Sequence, residues 1–242
     1  MEYLLTIASG VLIGVVSALA GIGGGTLMVP FMTLILGVNA KVAVASSLMT
    51  VIITSSSAAY VYLKEDMVNM KVALSLTPAT CLGAVVGSHI TISLPQEDVK
   101  RVLGYGLIVI SLIMIFGRTK EATGEVKRIK EGSSASFLAG LMSGMLGIGG
   151  GVLKVPIMNL VMDLPIKEAV ATSAFMIGLT ASTGTMVYLA RGLVDPALVA
   201  GFALGIIPGA TLGAKLLKGA RPKAIKVLFS LLLIYAGIKL IL

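Results

Sequence analysis

Two stretches of the chain carry groups that could hold an anion. Residues 20–30 read AGIGGGTLMVP and residues 146–156 read LGIGGGVLKVP. Each places G-I-G-G-G before a short apolar run: Gly21, Gly23, Gly24 and Gly25 with Thr26 in one copy, Gly147, Gly149, Gly150 and Gly151 in the other. Glycine permits positive φ and close approach, so such a run reads as a break in the backbone. A helix starting after the break leaves its first N–H groups without intrahelical partners, and its dipole favours negative charge there. Lys154, three residues beyond Gly151, adds a cation inside the apolar run, where Met28 is its counterpart. A cation at that depth needs a partner or a polar cavity, and a bound anion would be such a partner. Further along, Ser47, Thr50, Thr54 and Ser57 step by three or four residues and share one helix face. Ser173, Thr180 and Thr183 repeat the stripe, with Met176 at the place of Thr50. Hydroxyls in that arrangement could replace water around an oxyanion.

Each feature has a plainer alternative. Glycine runs serve close packing of membrane helices, and Ser/Thr hydroxyls commonly bond between such helices. Lys154 could snorkel to an interface if its run lies near the surface. A nucleotide loop is excluded, because Thr26 and Val152 stand where a dinucleotide fingerprint needs glycine, and no GK[ST] follows. One His, one Cys and no metal-ligand spacing argue against an enzyme, a metal site or any cofactor. All eleven acids fall at segment ends or in loops, which disfavours a carboxylate relay or a carboxylate-based cation pump.

The elements that must position these residues are helices in a bilayer. Mean hydropathy is +1.02, and only 12% of residues are charged, about half the share in soluble domains. Apolar runs cover about 3–20, 26–37, 42–63, 72–93, 99–117, 134–146, 152–162, 168–189, 196–216 and 224–242. Several reach the roughly 20 residues that span a bilayer as a helix, and none alternates as a barrel strand does. The runs after the glycine motifs hold about 11 residues, or about 16 Å at the helical rise, half of a hydrocarbon core. They read as half-helices beginning at membrane depth, where broken backbone must be buried in protein or face a wet cavity. The first run is led by Glu2 and continues into the motif, so it reads as a membrane helix and not a cleaved leader.

The chain is duplicated. Sliding residues 11–63 onto 137–189, an offset of 126, gives 23 identities in 53 positions. Residues 1–117 form repeat one and 134–242 repeat two, joined by a basic linker over 118–133. With an odd number of crossings per repeat, thirteen Lys/Arg fall on the linker side and five on the other. An even number would send the basic cluster 215–226 outside, against the positive-inside bias. The expectation is an all-α polytopic membrane protein of two inverted-topology repeats, about five hydrophobic segments each, with both termini outside and the linker cytoplasmic. Inverted repeats place a transporter's substrate site at the midplane where they meet.

The paired GIGGGTLMVP and GIGGGVLKVP, the duplication, the basic linker and the Pro78–Gly83 and Pro208–Gly213 spacing resemble the TauE/SafE sulfite exporter family. The resemblance implies a prokaryotic inner-membrane permease for small sulfur-containing anions, such as sulfite or an organosulfonate, working in export. It also implies that the motif glycines, with Pro30 and Pro156, belong to the transport machinery. The first copy departs from a symmetric charge pattern, with Met28 where the second has Lys154. The expected partners are the small anion, the lipid bilayer and a coupling ion, with no nucleic acid; a homo-oligomer is compatible with the chain. A passive anion channel, or a non-transporting membrane subunit of a sulfur-metabolism complex, are the alternatives.

Overall fold

The computed structural model describes residues 2–20, 24–116, 126–216 and 222–242. Gly21, Gly23, Gly117 and linker residues 118–125 lie outside the described residues. Among those described there is no strand. The elements are α1 (Glu2–Ala20), α2 (Gly25–Pro30, continuing as π-helix over Phe31–Ile35), α3 (Ala40–Lys64), α4 (Met70–Ser93) and α5 (Gln96–Phe116). They are followed by α6 (Ile129–Leu146), α7 (Gly151–Pro156, π-helical over Ile157–Val161), α8 (Ile166–Leu189), α9 (Pro196–Leu216) and α10 (Pro222–Ile241). Four of them, α3, α4, α8 and α9, are long and apolar enough to cross a membrane. The outer faces carry exposed Leu12, Leu74, Leu82, Leu204 and Tyr235, as a lipid-facing bundle requires. The chain is an all-α polytopic membrane protein.

Boundaries follow local chemistry. Asn39 caps α3 by accepting from Lys41 N at 2.9 Å. Asn69 caps α4 through Val72 N at 3.1 Å, and Asp195 caps α9 through Ala197 N at 2.9 Å. Pro30 and Pro156 sit inside the short helices, where the missing N–H interrupts the ladder. Both helices then widen to π geometry, with Leu36 N donating to Phe31 O and Met162 N to Ile157 O. The helix α6 starts at Ile129, inside the stretch read from sequence as linker, because a Lys/Glu/Ser-containing turn can extend an apolar helix into water.

Close backbone approaches reveal the helix directions. Gly205 and Gly209 of α9 lie against Ile7 and Val11 of α1, and Gly213 against Val15, so these helices run parallel. The helices α4 and α6 do the same, with Gly83 against Phe137 and Gly87 against Leu141. Glycines four apart let the backbones touch at these crossings. At the centre α3 and α8 run antiparallel, with Ser55 beside Gly178 and Leu48 beside Gly184. The helices α5 and α10 are also antiparallel, Gly104 meeting Ile241 and Gly237 meeting Ile108. Two hydrogen bonds cross between the halves at positions 126 apart: Asn69 N donates to Thr172 Oγ1 and Asp195 N to Ser46 Oγ, both at 2.9 Å.

Candidate functional site

The second glycine motif is fully described. Helix α6 closes at Gly147, whose N–H donates to Ser143 O at 3.0 Å in left-handed geometry. Gly149 (φ +76°) and Gly150 (φ +74°) are left-handed too. Helix α7 then begins, with Leu153 N and Lys154 N both donating to Gly150 O. The N–H groups of Gly151 and Val152 precede the first intrahelical bonds. Gly149 lies between Val51 and Ile177. These are the twelfth residues of the 25-residue α3 and the 24-residue α8, so the break stands at mid-length of both central helices.

The two motifs touch. A side chain on Gly25 would run into Gly147 O and Ile148, so glycine is required there for close approach. Ser47 of α3 donates to the same Gly147 O at 2.9 Å. Gly24 departs from the sequence expectation: it sits at φ −60° in right-handed conformation and uses none of its left-handed freedom. Gly24 is the residue that precedes and caps α2, with its carbonyl accepting from Met28 N at 3.2 Å. What Gly24 supplies is space, since a Cβ would stand 3.3 Å from Ile13 and Thr54.

Lys154 is fully buried. Its Nζ donates to Thr180 Oγ1 at 2.8 Å and to Gly149 O at 3.3 Å. Thr180 in turn lies 3.0 Å from Thr80 Oγ1 of α4 and donates to Met176 O. Among the described residues no carboxylate comes within ion-pair range of Lys154; Lys100–Glu97 and Arg101–Asp98 are ion pairs at the surface. The cation therefore has dipoles around it and, among the described residues, no carboxylate as counter-charge.

Other sequence-selected residues divide into two groups. Ser47 reaches the motif. Thr50 and Thr54 are buried on the same face, but their protons go to Ser46 O and Thr50 O of their own helix. Ser57 does likewise with Ile53 O. Thr26 and Ser173 are buried. The sequence reading passed over Thr80, and also Ser17 and Ser143, whose buried hydroxyls have no hydrogen-bond partner. The last pair was detectable, because the two serines coincide at the offset of 126. Two tyrosines, also 126 apart, anchor the helices that lead into the motifs: Tyr62 OH donates to Ala18 O at 2.8 Å and Tyr188 OH to Gly144 O at 2.7 Å. No cluster of three metal-ligating His, Cys, Asp or Glu side chains occurs among the described residues.

The chain can now be compared with known proteins. It is 28% identical to the probable membrane transporter protein YunE of Bacillus subtilis (strain 168), over 100% of this chain and 98% of that one. It is 26% identical to the probable membrane transporter protein MJ0441 of Methanocaldococcus jannaschii, over 98% and 95% of the two chains. A probable membrane transporter protein of Xylella fastidiosa (strain Temecula1) is 28% identical over 88% of this chain and 84% of its own. No solved structure matches the chain. The profile of the family described as sulfite exporter TauE/SafE matches residues 6–240. With the start of α2 packed on the second glycine motif, a buried lysine beside that motif and a profile match over nearly its full length, the chain belongs to the sulfite exporter TauE/SafE family of membrane transporters.

Proposed function

We propose that the protein is a secondary transporter that exports a small sulfur-containing anion, sulfite or an organosulfonate, across a prokaryotic plasma membrane. The carrying observation is Lys154, a buried cation held by Thr180 Oγ1 and Gly149 O with no carboxylate in ion-pair range among the described residues. A buried unpaired cation is costly, and an anion is the group that relieves the cost. The first N–H groups of α7 lie one turn away, and the dipole there has the same sign preference. Contact of Gly25 with Gly147 and Ile148 brings the start of α2 against the second glycine motif. The parallel and antiparallel helix directions support two halves of opposite orientation, rocking about the α3–α8 crossing to expose the site alternately. Sulfite and sulfonates suit the donors as compact oxyanions, and the sulfur chemistry itself comes from the family.

Counterflow in proteoliposomes tests this reading. Labelled sulfite should accumulate transiently when unlabelled sulfite is present on the opposite side. Flux without that trans-stimulation identifies a channel, and no flux with any sulfur oxyanion or organosulfonate removes the transport reading.

A further inference from the structure

A groove of about 800 Å³ opens between α1, the α2 half-helix and α10. Its walls are apolar, with Leu12 and Val16 from α1, Leu27 and Leu34 from the half-helix and Leu232 from α10. Leu12, Leu34 and Leu232 are exposed, so in a bilayer this concave face meets hydrocarbon. Lys239 and Tyr235 also line it, one turn apart on α10. Both lie toward one end. Asn39 Nδ2 donates to Gln96 Oε1 at 2.7 Å, which places the start of α5 near the end of the half-helix. The helix α10 runs antiparallel to α5, so its last turn points the same way. Lys239 therefore stands toward the Ile35 end of the groove, and Leu232 toward the Leu27 end. Among the described residues no carboxylate pairs with Lys239, and no acidic residue lines the groove. At the offset of 126 Ile113 takes the place of Lys239, so the charge belongs to this groove and not to the repeat plan.

We infer that this groove seats an anionic phospholipid, with an acyl chain along Leu12, Val16 and Leu232 and the headgroup phosphate at Lys239. A cation at one end of an apolar trough matches the charge and polarity of that molecule, and basic recesses between membrane helices hold anionic headgroups. Tyrosine beside the lysine suits the boundary between headgroup and hydrocarbon. With no acid in the groove, nothing there pairs with the ammonium of a zwitterionic headgroup, which favours a lipid of net negative charge. The half-helix is held on its inner side by Phe31, whose ring meets Phe202 edge-on with centroids 5.8 Å apart. On its lipid side the acyl chain fills the space between it and α10. Ile13, which also lines the groove, packs beside Gly24, so the occupant borders the described end of the first glycine motif. The inference concerns a lipid and stands apart from the identity of the transported anion.

The test uses the purified full chain, stripped of lipid in a neutral detergent, and follows thermal unfolding against dioleoyl phosphatidylglycerol and dioleoyl phosphatidylcholine. A saturable upward shift is expected with both, with about fivefold tighter binding of phosphatidylglycerol, the advantage one basic residue gives at an anionic headgroup. Glycerol 3-phosphate, which has the phosphate and no acyl chain, should give no shift. Lys239→Gln should bring phosphatidylglycerol down to the affinity of phosphatidylcholine. Lys71→Gln, at an exposed lysine that does not line the groove, should leave the preference intact. Leu232→Trp, which fills the apolar end, should weaken both lipids together. Equal affinity for the two lipids in the unaltered protein overturns the inference, and so does a preference that survives Lys239→Gln. Lipid affinity unchanged in Leu232→Trp overturns the seating of the acyl chain. A dimer that forms a disulfide through Tyr235→Cys in a Cys81→Ser background would show a second copy covering the groove and would overturn it as well.

Discussion

The Nζ of Lys154 lies 2.8 Å from Thr180 Oγ1, and through Thr180 it is joined to Thr80 Oγ1 at 3.0 Å. One half-helix and two long helices from both repeats are thereby tied at a single buried cation. In repeat one Thr54 occupies the place of Thr180 without any charged neighbour of that kind. The two halves share a backbone plan and differ in where positive charge is fixed.

Lys154→Ala should weaken anion binding by about 1–3 kcal/mol, the usual cost of losing a charge-assisted hydrogen bond. Thermal-shift titration of the purified protein with sulfite, sulfoacetate and taurine measures it. Affinity equal to that of the unaltered protein would remove Lys154 from the anion site.

Thr180→Val removes the hydroxyl acceptor nearest to the ammonium and keeps the shape of the side chain. Leaving a buried donor short of a partner costs about 1–3 kcal/mol, so the unfolding temperature should fall. Added anion should recover part of that loss by supplying a new acceptor. A variant as stable as the unaltered protein would mean that Gly149 O alone satisfies the ammonium.

Gly150→Val should abolish transport. Its φ is +74°, and a Cβ would stand 2.7 Å from Ala139 O, so strain of about 1–3 kcal/mol adds to a steric conflict with backbone. Gly24→Ala should be much milder, because Gly24 is right-handed and a methyl group meets only side chains, at 3.3 Å. Equal flux losses in the two variants would contradict this asymmetry between the motifs.

Tyr62→Phe and Tyr188→Phe each leave a carbonyl at the end of α1 or α6 without its donor. Each should lower stability by about 1 kcal/mol, and the double variant by about the sum, since the two bonds share no partner. Denaturant titration of the three variants tests the additivity. A coupling well above the single effects would show that the two anchors act as one unit.

Much of the architecture was legible before any coordinates. Apolar runs marked every helix to within a few residues, because a bilayer rewards uninterrupted apolar length and a helix satisfies its own backbone. The eleven-residue spans after the glycines emerged as Gly25–Ile35 and Gly151–Val161. Gly24 is right-handed for a local reason: a glycine run does not say which of its members takes a positive φ. The hydroxyl stripe was ambiguous on similar grounds. A threonine in a helix can donate to the carbonyl four residues back, as Thr50 and Thr54 do, so a shared face does not establish that a hydroxyl is available to a ligand.

Residue order alone thus determined the class, the duplication, the length of the half-helices and the isolation of one lysine, since each depends on chain-local burial and periodicity. Tertiary structure decided that Gly25 touches Gly147, that Ser47 reaches across 100 residues to the same carbonyl, and that Lys154 is seated on Thr180. It also left Ser17 facing a cavity without a partner. Those outcomes rest on helix directions and crossing points set by close glycine contacts between distant segments, and no local pattern encodes where two such helices will cross.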